Sequence, residues 1–280
     1  MSVSDSLSAP IVVTGAASGI GAALMARLRA AGRTVIGIDR SASAGILACD
    51  LADPAAIAAT VRELPAEIGG LANVAGVPGT APARTVLSVN VLGPILLTNA
   101  LLPRLRAGSA IVDVASVAAH RNTQPPEAVE ELIAVQTSAE LDSWLDRHPL
   151  DGAAAYDTSK RVVVDWTQRL AGALAGTGLR ALSVSPGPVE TPILGDFATS
   201  MGQDSMDRSA AAVGRHGRPD EIAAVIAFAL SPDASWLNGI DLLVEGGLMA
   251  VRAAAAAPPL PLPPLGPDRT DADPTGGDPS

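Results

Sequence analysis

Short apolar runs bounded by glycine, proline and aspartate alternate along the chain with longer Ala/Leu/Arg segments of helical period. The runs Ile11–Thr14, Thr34–Ile38, Gly70–Val74, Ala110–Val114, Leu179–Val184 and Ile240–Val244 are rich in aliphatic residues and show no apolar–polar alternation, the pattern of strands buried on both faces. Between them, Ala22–Ala31, Pro54–Leu64, Leu87–Leu105, Ser159–Leu174 and Pro219–Leu230 carry apolar residues three and four apart, as helices with one buried face do. Strand alternating with helix predicts βαβ units and therefore an α/β fold, a doubly wound parallel sheet of Rossmann type with helices on both faces.

Two stretches break this rhythm. Residues 117–155 contain Glu127–Arg147, where Val129, Leu132, Ile133, Leu141, Trp144 and Leu145 recur at helical spacing, so a helical insertion is expected there with Trp144 as its packing anchor. From residue 253 onward an alanine run leads into a proline-rich tail with few large apolar residues, and 253–280 is expected to stay outside the packed core as a disordered tail. A solvated extension is the favoured reading of Pro258–Pro264; a polyproline ligand for a partner domain is the alternative. The length of 280 residues by itself permits one domain or two.

Composition and charge narrow the classes. With 48% hydrophobic and 17% charged residues the chain is globular in type, and a net charge of −10 argues against a nucleic-acid footprint. The single cysteine, Cys49, rules out an internal disulfide, and one Cys with three His gives no metal-ligand cluster. Ser6–Ala26 is uncharged but broken by Pro10, Gly15, Gly19 and Gly21, and no Lys or Arg precedes Arg27, so neither a membrane helix nor a signal peptide is expected. These features point to a cytoplasmic protein with no membrane partner.

The chemistry begins at Thr14, followed by Gly15-Ala16-Ala17-Ser18-Gly19-Ile20-Gly21 and a helix. Glycines between a strand and a helix permit positive φ and close backbone approach, and the helix start presents N–H groups and a positive dipole end to a pyrophosphate. A purely steric turn has the same spacing, so the next strand matters. It ends at Asp39, eighteen residues after Gly21, near the position from which a carboxylate accepts from adenosine ribose hydroxyls and repels a 2′-phosphate; this favours NAD, with the neighbouring Arg40 as the feature that would suit NADP instead. Asp50 and Leu51 close a short third strand and are placed near the adenine. Asn73, Val74, Ala75 and Gly76 form a small-residue turn that leaves room for the cofactor.

The chain has one tyrosine, Tyr156, and among its nineteen basic residues only Lys160 is a lysine. Four residues apart on a helix, they share a face. A phenol is a poor base near neutral pH, and an adjacent ammonium favours its ionised form, so Tyr156 is the candidate general acid–base and Lys160 the cation that tunes it. Ser116, after the strand Ala110–Val114, is placed at the carboxyl edge of the sheet where ligands of such folds bind. His120 is read as a solvated loop residue.

In this order, Thr14–Gly21, Asp39, Asp50, Asn73–Gly76, Asn90, Ser116, Tyr156-x-x-x-Lys160 and Pro186-Gly187-Pro188-Val189-Glu190-Thr191 resemble the short-chain dehydrogenases/reductases over nearly all of residues 8–250. The resemblance implies one Rossmann domain (1–252) with about seven strands. It implies that Asn90 joins Ser116, Tyr156 and Lys160 in the catalytic set by holding a water, and that Pro186, Gly187, Val189 and Thr191 lie at the nicotinamide, with Val189 and Thr191 on its carboxamide. The long segment before Tyr156, with Gly76–Ala81 and Trp236–Ile240, is similar to the branch containing coniferyl-alcohol dehydrogenase and 3α-hydroxysteroid dehydrogenase/carbonyl reductase. That implies NAD-dependent oxidation of a bulky hydrophobic or aromatic alcohol, a steroid or carbonyl substrate as the alternative, and a homodimer. A cofactor-binding sensor without turnover is the remote alternative. Ile193–Ser209, with Leu194, Phe197 and Met201, is the expected lid over the small hydrophobic alcohol or ketone.

Overall fold

A computed structural model describes residues 9–192, 194–201 and 203–261 of the chain. Seven parallel strands form one sheet: β1 (Ile11–Thr14), β2 (Val35–Asp39), β3 (Ile46–Ala48), β4 (Gly70–Asn73), β5 (Ala110–Val114), β6 (Arg180–Pro186) and β7 (Asp241–Val244). Their order is β3-β2-β1-β4-β5-β6-β7. The chain thus winds outward from β1 in one direction and then from β4 in the other. The crevice between β1 and β4 is the switch point at which such sheets receive ligands.

Helices α1 (Gly19–Ala30), α2 (Pro54–Glu63), α3 (Ala83–Leu87), α4 (Gly93–Leu101), α5 (Pro126–Ile133), α6 (Ser138–Arg147), α7 (Gly152–Ala173), α8 (Leu194–Met201), α9 (Gln203–Val213), α10 (Pro219–Leu230) and α11 (Leu248–Ala255) complete the order. Two apolar cores result. One joins Val12, Ile38, Leu71 and Ile111 to α2, α4 and α7; the other joins Ile11, Val13, Val112 and Leu182 to α1 and α10. Successive side chains of each strand therefore enter opposite cores, which is why the strands carry no polar face.

The expected helix 87–105 is interrupted. Ser88–Leu92 makes a π-helical turn in which the Gly93 N–H reaches the Ser88 carbonyl. Pro94 has no N–H to return to the Asn90 carbonyl, and Gly93 lies so near Leu51 that a Cβ there would stand 2.5 Å from the Leu51 carbonyl oxygen. The stretch Ala83–Arg104 has a mean hydropathy of 1.7 and is the one segment among the described residues long and apolar enough to cross a membrane; 67% of it is buried inside the fold, which accounts for its composition.

The insertion is helical as expected, but as two helices. The Thr137 side chain accepts from the Glu140 N–H while Glu140 accepts from the Thr137 N–H, a reciprocal cap that starts α6. Trp144 is fully buried and its indole donates to the Ala128 carbonyl at 3.0 Å, locking α6 onto α5. The third strand ends at Ala48, two residues before Asp50, whose carboxylate instead accepts from the Ala52 N–H in the following turn. Helix α11 runs to Ala255, past residue 252. Of the expected tail, 262–280 lies outside the described residues, as does Ile193 of the expected lid.

Candidate active site

Backbone proximity builds one wall of the site. Gly15 and Gly19 adopt φ of +66° and +52°. A Cβ on Gly21 would stand 2.0 Å from the Gly15 carbonyl oxygen, and one on Gly15 2.8 Å from Ala75 Cα, so only glycine lets the β1 turn, the start of α1 and the end of β4 converge. Thr14 Oγ1 accepts from the N–H groups of both Val74 and Ala75 at 3.0 Å, pinning the two strand ends together. Ser18 occupies the N-cap of α1 without a side-chain capping bond. The helix start borders a cavity of about 570 Å³, with the Thr191 side chain packed close to Gly19.

That cavity runs along the carboxyl ends of the strands. Gly15, Ser18, Gly19, Ile20 and Gly21 line one side, and Asp39, Asp50 and Leu51 one end. Ala75 and Gly76 line its middle, and Ser116, Tyr156, Pro186, Gly187, Val189 and Thr191 the other end. Asp39 is held by two backbone donors, Ala17 N–H at 2.9 Å and Arg40 N–H at 2.7 Å. Its carboxylate is thereby fixed at the tip of β2. A glycine-built helix start with a fixed carboxylate at this distance along the sheet suits the pyrophosphate and ribose of a dinucleotide.

Tyr156 and Lys160 lie on α7, which begins where Asp151 accepts from the Ala154 N–H at 2.7 Å. Lys160 Nζ is 5.6 Å from the centroid of the Tyr156 ring and donates to the Val114 carbonyl at 2.9 Å. Ser116 accepts from the Ala118 N–H at 3.1 Å and its side chain hydrogen-bonds with that of Tyr156. Asn90, in the π-turn, accepts from the Val77 N–H at 2.8 Å and donates to the Val77 carbonyl and to Ser159 Oγ, which itself donates to the Tyr156 carbonyl. One amide thus joins the loop after β4 to the helix of the tyrosine.

Burial dominates the protonation of this group. It pushes the Tyr156 phenol up to about 12, against opposing pulls from the hydrogen bond with Ser116 and the charge of Arg121. Burial also brings Lys160 down to about 8, opposed by the charge of Asp113. Desolvation of the ring thus outweighs both pulls on the phenol. At neutral pH the phenol keeps its proton on Oη.

The short chain dehydrogenase profile matches residues 9–126 and the enoyl-(acyl carrier protein) reductase profile residues 140–249. Coniferyl-alcohol dehydrogenase of Pseudomonas sp. (strain HR199 / DSM 7063) is 40% identical over 243 residues, covering 85% of this chain and 95% of that one. The chain belongs to the short-chain dehydrogenase/reductase family. It is a dehydrogenase/reductase enzyme of that family, whose members use NAD(P). The 3-alpha-hydroxysteroid dehydrogenase/carbonyl reductase of Comamonas testosteroni is 32% identical over 248 residues, covering 86% of this chain and 96% of that one. The crystal structure of the 3-alpha-hydroxysteroid dehydrogenase from Pseudomonas sp. B-0831 complexed with NADH superposes with a TM-score of 0.77 at 36% identity, covering 88% of this chain and 98% of that one.

Within the short-chain dehydrogenase/reductase frame, three expected site residues do not line the cavity. Lys160 and Asn90 stand directly behind its wall, as described above. Asn73 lies off the lining: its amide donates to Thr98 Oγ1 at 3.0 Å and to Asp113 Oδ1 at 2.7 Å, which ties β4 to β5 and α4. Three residues escaped the sequence reading altogether: buried Asp113, Ser159 beneath Asn90, and Arg121, which lines the cavity and pairs with Asp157. His120 is exposed.

Proposed function

We propose that the protein is an NAD-dependent alcohol dehydrogenase that oxidises a bulky hydrophobic or aromatic alcohol resembling coniferyl alcohol, with Tyr156 as acid–base. The observation that carries this reading is the convergence of Ser116 and Tyr156, with Lys160 behind the tyrosine ring, at one end of a cavity whose other end holds the fixed Asp39 carboxylate. Gly15, Ser18–Gly21 and Ala75–Gly76 would hold the pyrophosphate and central part of NAD, and Asp39 the adenosine ribose. Pro186, Gly187, Val189 and Thr191 would hold the nicotinamide. When bound, the oxidised nicotinamide supplies the hydride acceptor and a positive charge near the phenol.

Ser116 Oγ orients the carbinol oxygen, and Tyr156 Oη exchanges its proton. Lys160, held under the ring by the Val114 carbonyl, stabilises the phenolate that accepts the carbinol proton; Asn90 keeps the polar path behind it in place. The Asp39 carboxylate supports NAD over NADP, since a 2′-phosphate would meet a negative charge already fixed by two N–H donors. Among the cavity residues Val77, Pro78, Ala81, Val117 and Pro192 give the alcohol end a largely apolar lining, which supports a hydrophobic substrate. The same lining, with the similarity to steroid dehydrogenases, supports a 3α-hydroxysteroid or carbonyl substrate as the second reading.

A cytoplasmic enzyme fits the free, buried Cys49. A homodimer fits the exposed large apolar residues of the segment 228–243, where Trp236 is 98% exposed and Phe228 and Leu243 are also exposed; light scattering tests it. The function is tested by following NADH formation with coniferyl alcohol, a 3α-hydroxysteroid and simple alcohols, using the wild type and Tyr156→Phe. Turnover by the wild type, and its loss in a variant that still binds NADH, is expected. Binding of NADH with no turnover of any alcohol would leave a cofactor-binding sensor.

A further inference from the structure

A buried carboxylate stands behind the tyrosine–lysine pair and has no part in the chemistry described so far. Asp113 lies on β5 two residues after Ile111 and so faces the same core, toward α4 and α7. Its carboxylate accepts from the Asn73 amide on β4 at 2.7 Å and from Thr167 Oγ1 on α7 at 2.8 Å. Lys160 precedes Thr167 by seven residues, two turns back along the same helix face. Its ammonium donates at 2.9 Å to the carbonyl of Val114, the residue after Asp113. Cation and carboxylate, both buried, are thus held behind the site by the same strand and the same helix.

The cluster is rich in acceptors. Besides the carboxylate and the Val114 carbonyl it contains Asn73 Oδ1, which is buried without a hydrogen-bond partner. A buried ammonium that lacks a compensating charge gives up its proton readily, and Asp113 is the charge that acts on Lys160. Other charged groups on the elements packed against α7 are engaged elsewhere: Arg121 with Asp157, Arg84 with Asp142, Glu130 with Arg169, and Glu131 with Arg147 and His148. Arg180 on β6 donates to the carbonyls of Ala229, Ser231 and Leu237, Arg161 on α7 pairs with Asp165, and His120 and Glu127 are exposed. The hydrogen bonds of Asp113 do not by themselves require a charge, since an asparagine of the same shape can accept from Asn73 and donate to Thr167 Oγ1. Only the carboxylate supplies a negative charge beside Lys160, and it does so at a cost in desolvation.

We propose that Asp113 is a positioning residue for the reaction, whose buried carboxylate keeps the proton on Lys160 and so maintains the cation beside Tyr156 through neutral and mildly alkaline pH. This rests on the reading that Tyr156 is the acid–base of an alcohol oxidation, and adds the residue that secures its cation. Burial draws Lys160 down to about 8 against the opposing charge of Asp113, whose own carboxyl is raised only to about 6. The carboxylate is therefore already charged when Lys160 begins to lose its proton. The charges that bear on the phenol are those of Arg121 and Asp157, so Asp113 acts through the lysine.

Because Lys160 is the only lysine, the full chain grown on lysine labelled with carbon-13 at Cε gives one such side-chain NMR signal, whose pH dependence reads that proton without any need for turnover. Wild type, Asp113→Asn and Thr167→Val are compared; the last keeps the carboxylate but removes one of its donors. Asp113→Asn should move the Lys160 titration down by about one unit or more, and Thr167→Val should move it in the same direction by less. For alcohol oxidation, the ratio of kcat/KM in wild type to that in Asp113→Asn should grow about fivefold between pH 6 and pH 8, the change in protonated Lys160 that a one-unit shift from about 8 produces. A Lys160 titration that is the same in all three proteins would overturn the proposal, and so would a kcat/KM lowered by one factor at every pH, which is the mark of a structural role. If Asp113→Asn does not fold, the titration of Thr167→Val decides in the same sense. A wild type that binds NADH but forms none from any alcohol would overturn the dehydrogenase reading and the role of Asp113 with it. The two failures are distinct, since the first shows in the titration while turnover persists and the second in turnover while the titration still shifts.

Discussion

Lys160 reaches past the Tyr156 ring, 5.6 Å from its centroid, to donate to the carbonyl of Val114 on β5. The ammonium is thereby fixed to the sheet while the phenol rides on the helix, and the two can act as one unit. Burial has raised the phenol to about 12, so a cation is needed for any phenolate at neutral pH. Lys160→Met should lower kcat/KM for alcohol oxidation by about 10²-fold or more. Because Lys160 acts through Tyr156, adding it to Tyr156→Phe should cost little further activity. Full additivity of the two losses in a double-mutant cycle would contradict this coupling.

Asp39 accepts from Ala17 and Arg40 N–H groups and so holds a negative charge at the end of β2 whether or not a ribose is present. Placing a like charge beside it is costly. Asp39→Ser should shift the ratio of kcat/KM for NAD over NADP by at least about tenfold toward NADP, with exposed Arg40 available for the 2′-phosphate. Side-by-side cofactor titrations check it; a wild type already preferring NADP would assign the choice to Arg40.

The sheet and the dinucleotide turn were legible because their signals are local: aliphatic strands without a polar face, and glycines at Gly15, Gly19 and Gly21 where φ or crowding demands them. Other features depend on partners distant in sequence. Asn73 reads the same whether its amide meets a ligand or a carboxylate, and the deciding neighbour, Asp113, is forty residues away. The π-turn at Asn90 arises where Gly93 meets Leu51, a tertiary contact with no periodic trace. Sequence spacing likewise places Lys160 near Tyr156 but does not show the burial that raises the phenol.

Gly21 illustrates how little tolerance the turn has. Gly21→Ala sets a methyl carbon 2.0 Å from the Gly15 carbonyl oxygen, an overlap with backbone that no rotamer relieves. The turn must open, and overpacking of this kind costs about 1–3 kcal/mol. NADH affinity should fall about tenfold or more, read by fluorescence titration, with a lower melting temperature. Wild-type affinity in this variant would mean that the turn is not where the cofactor binds.

Asp113 carries the strongest prediction about stability. Its carboxyl is buried, and desolvation raises it from 3.8 to about 6 although Asn73 and Thr167 donate to it and Lys160 lies near. A carboxyl raised in this way contributes stability in full below 3.8, and that contribution is lost as pH rises through about 6; at pH 8 the buried charge weighs against the fold. An asparagine of the same shape would carry no charge. Its oxygen would accept from Asn73, and its amide would donate to Thr167 Oγ1, whose own proton then goes to the Val163 carbonyl 2.6 Å away. Asp113→Asn should therefore keep the hydrogen bonds and remove the desolvated charge. Relative to wild type, its melting temperature should be about 2–4 °C higher at pH 8, the shift expected for about 1 kcal/mol in a domain of this size. The difference should close as pH falls toward 4, where the wild-type carboxyl is protonated. A variant less stable than wild type across that whole range would mean that the carboxylate's attraction to Lys160 outweighs the cost of burying it.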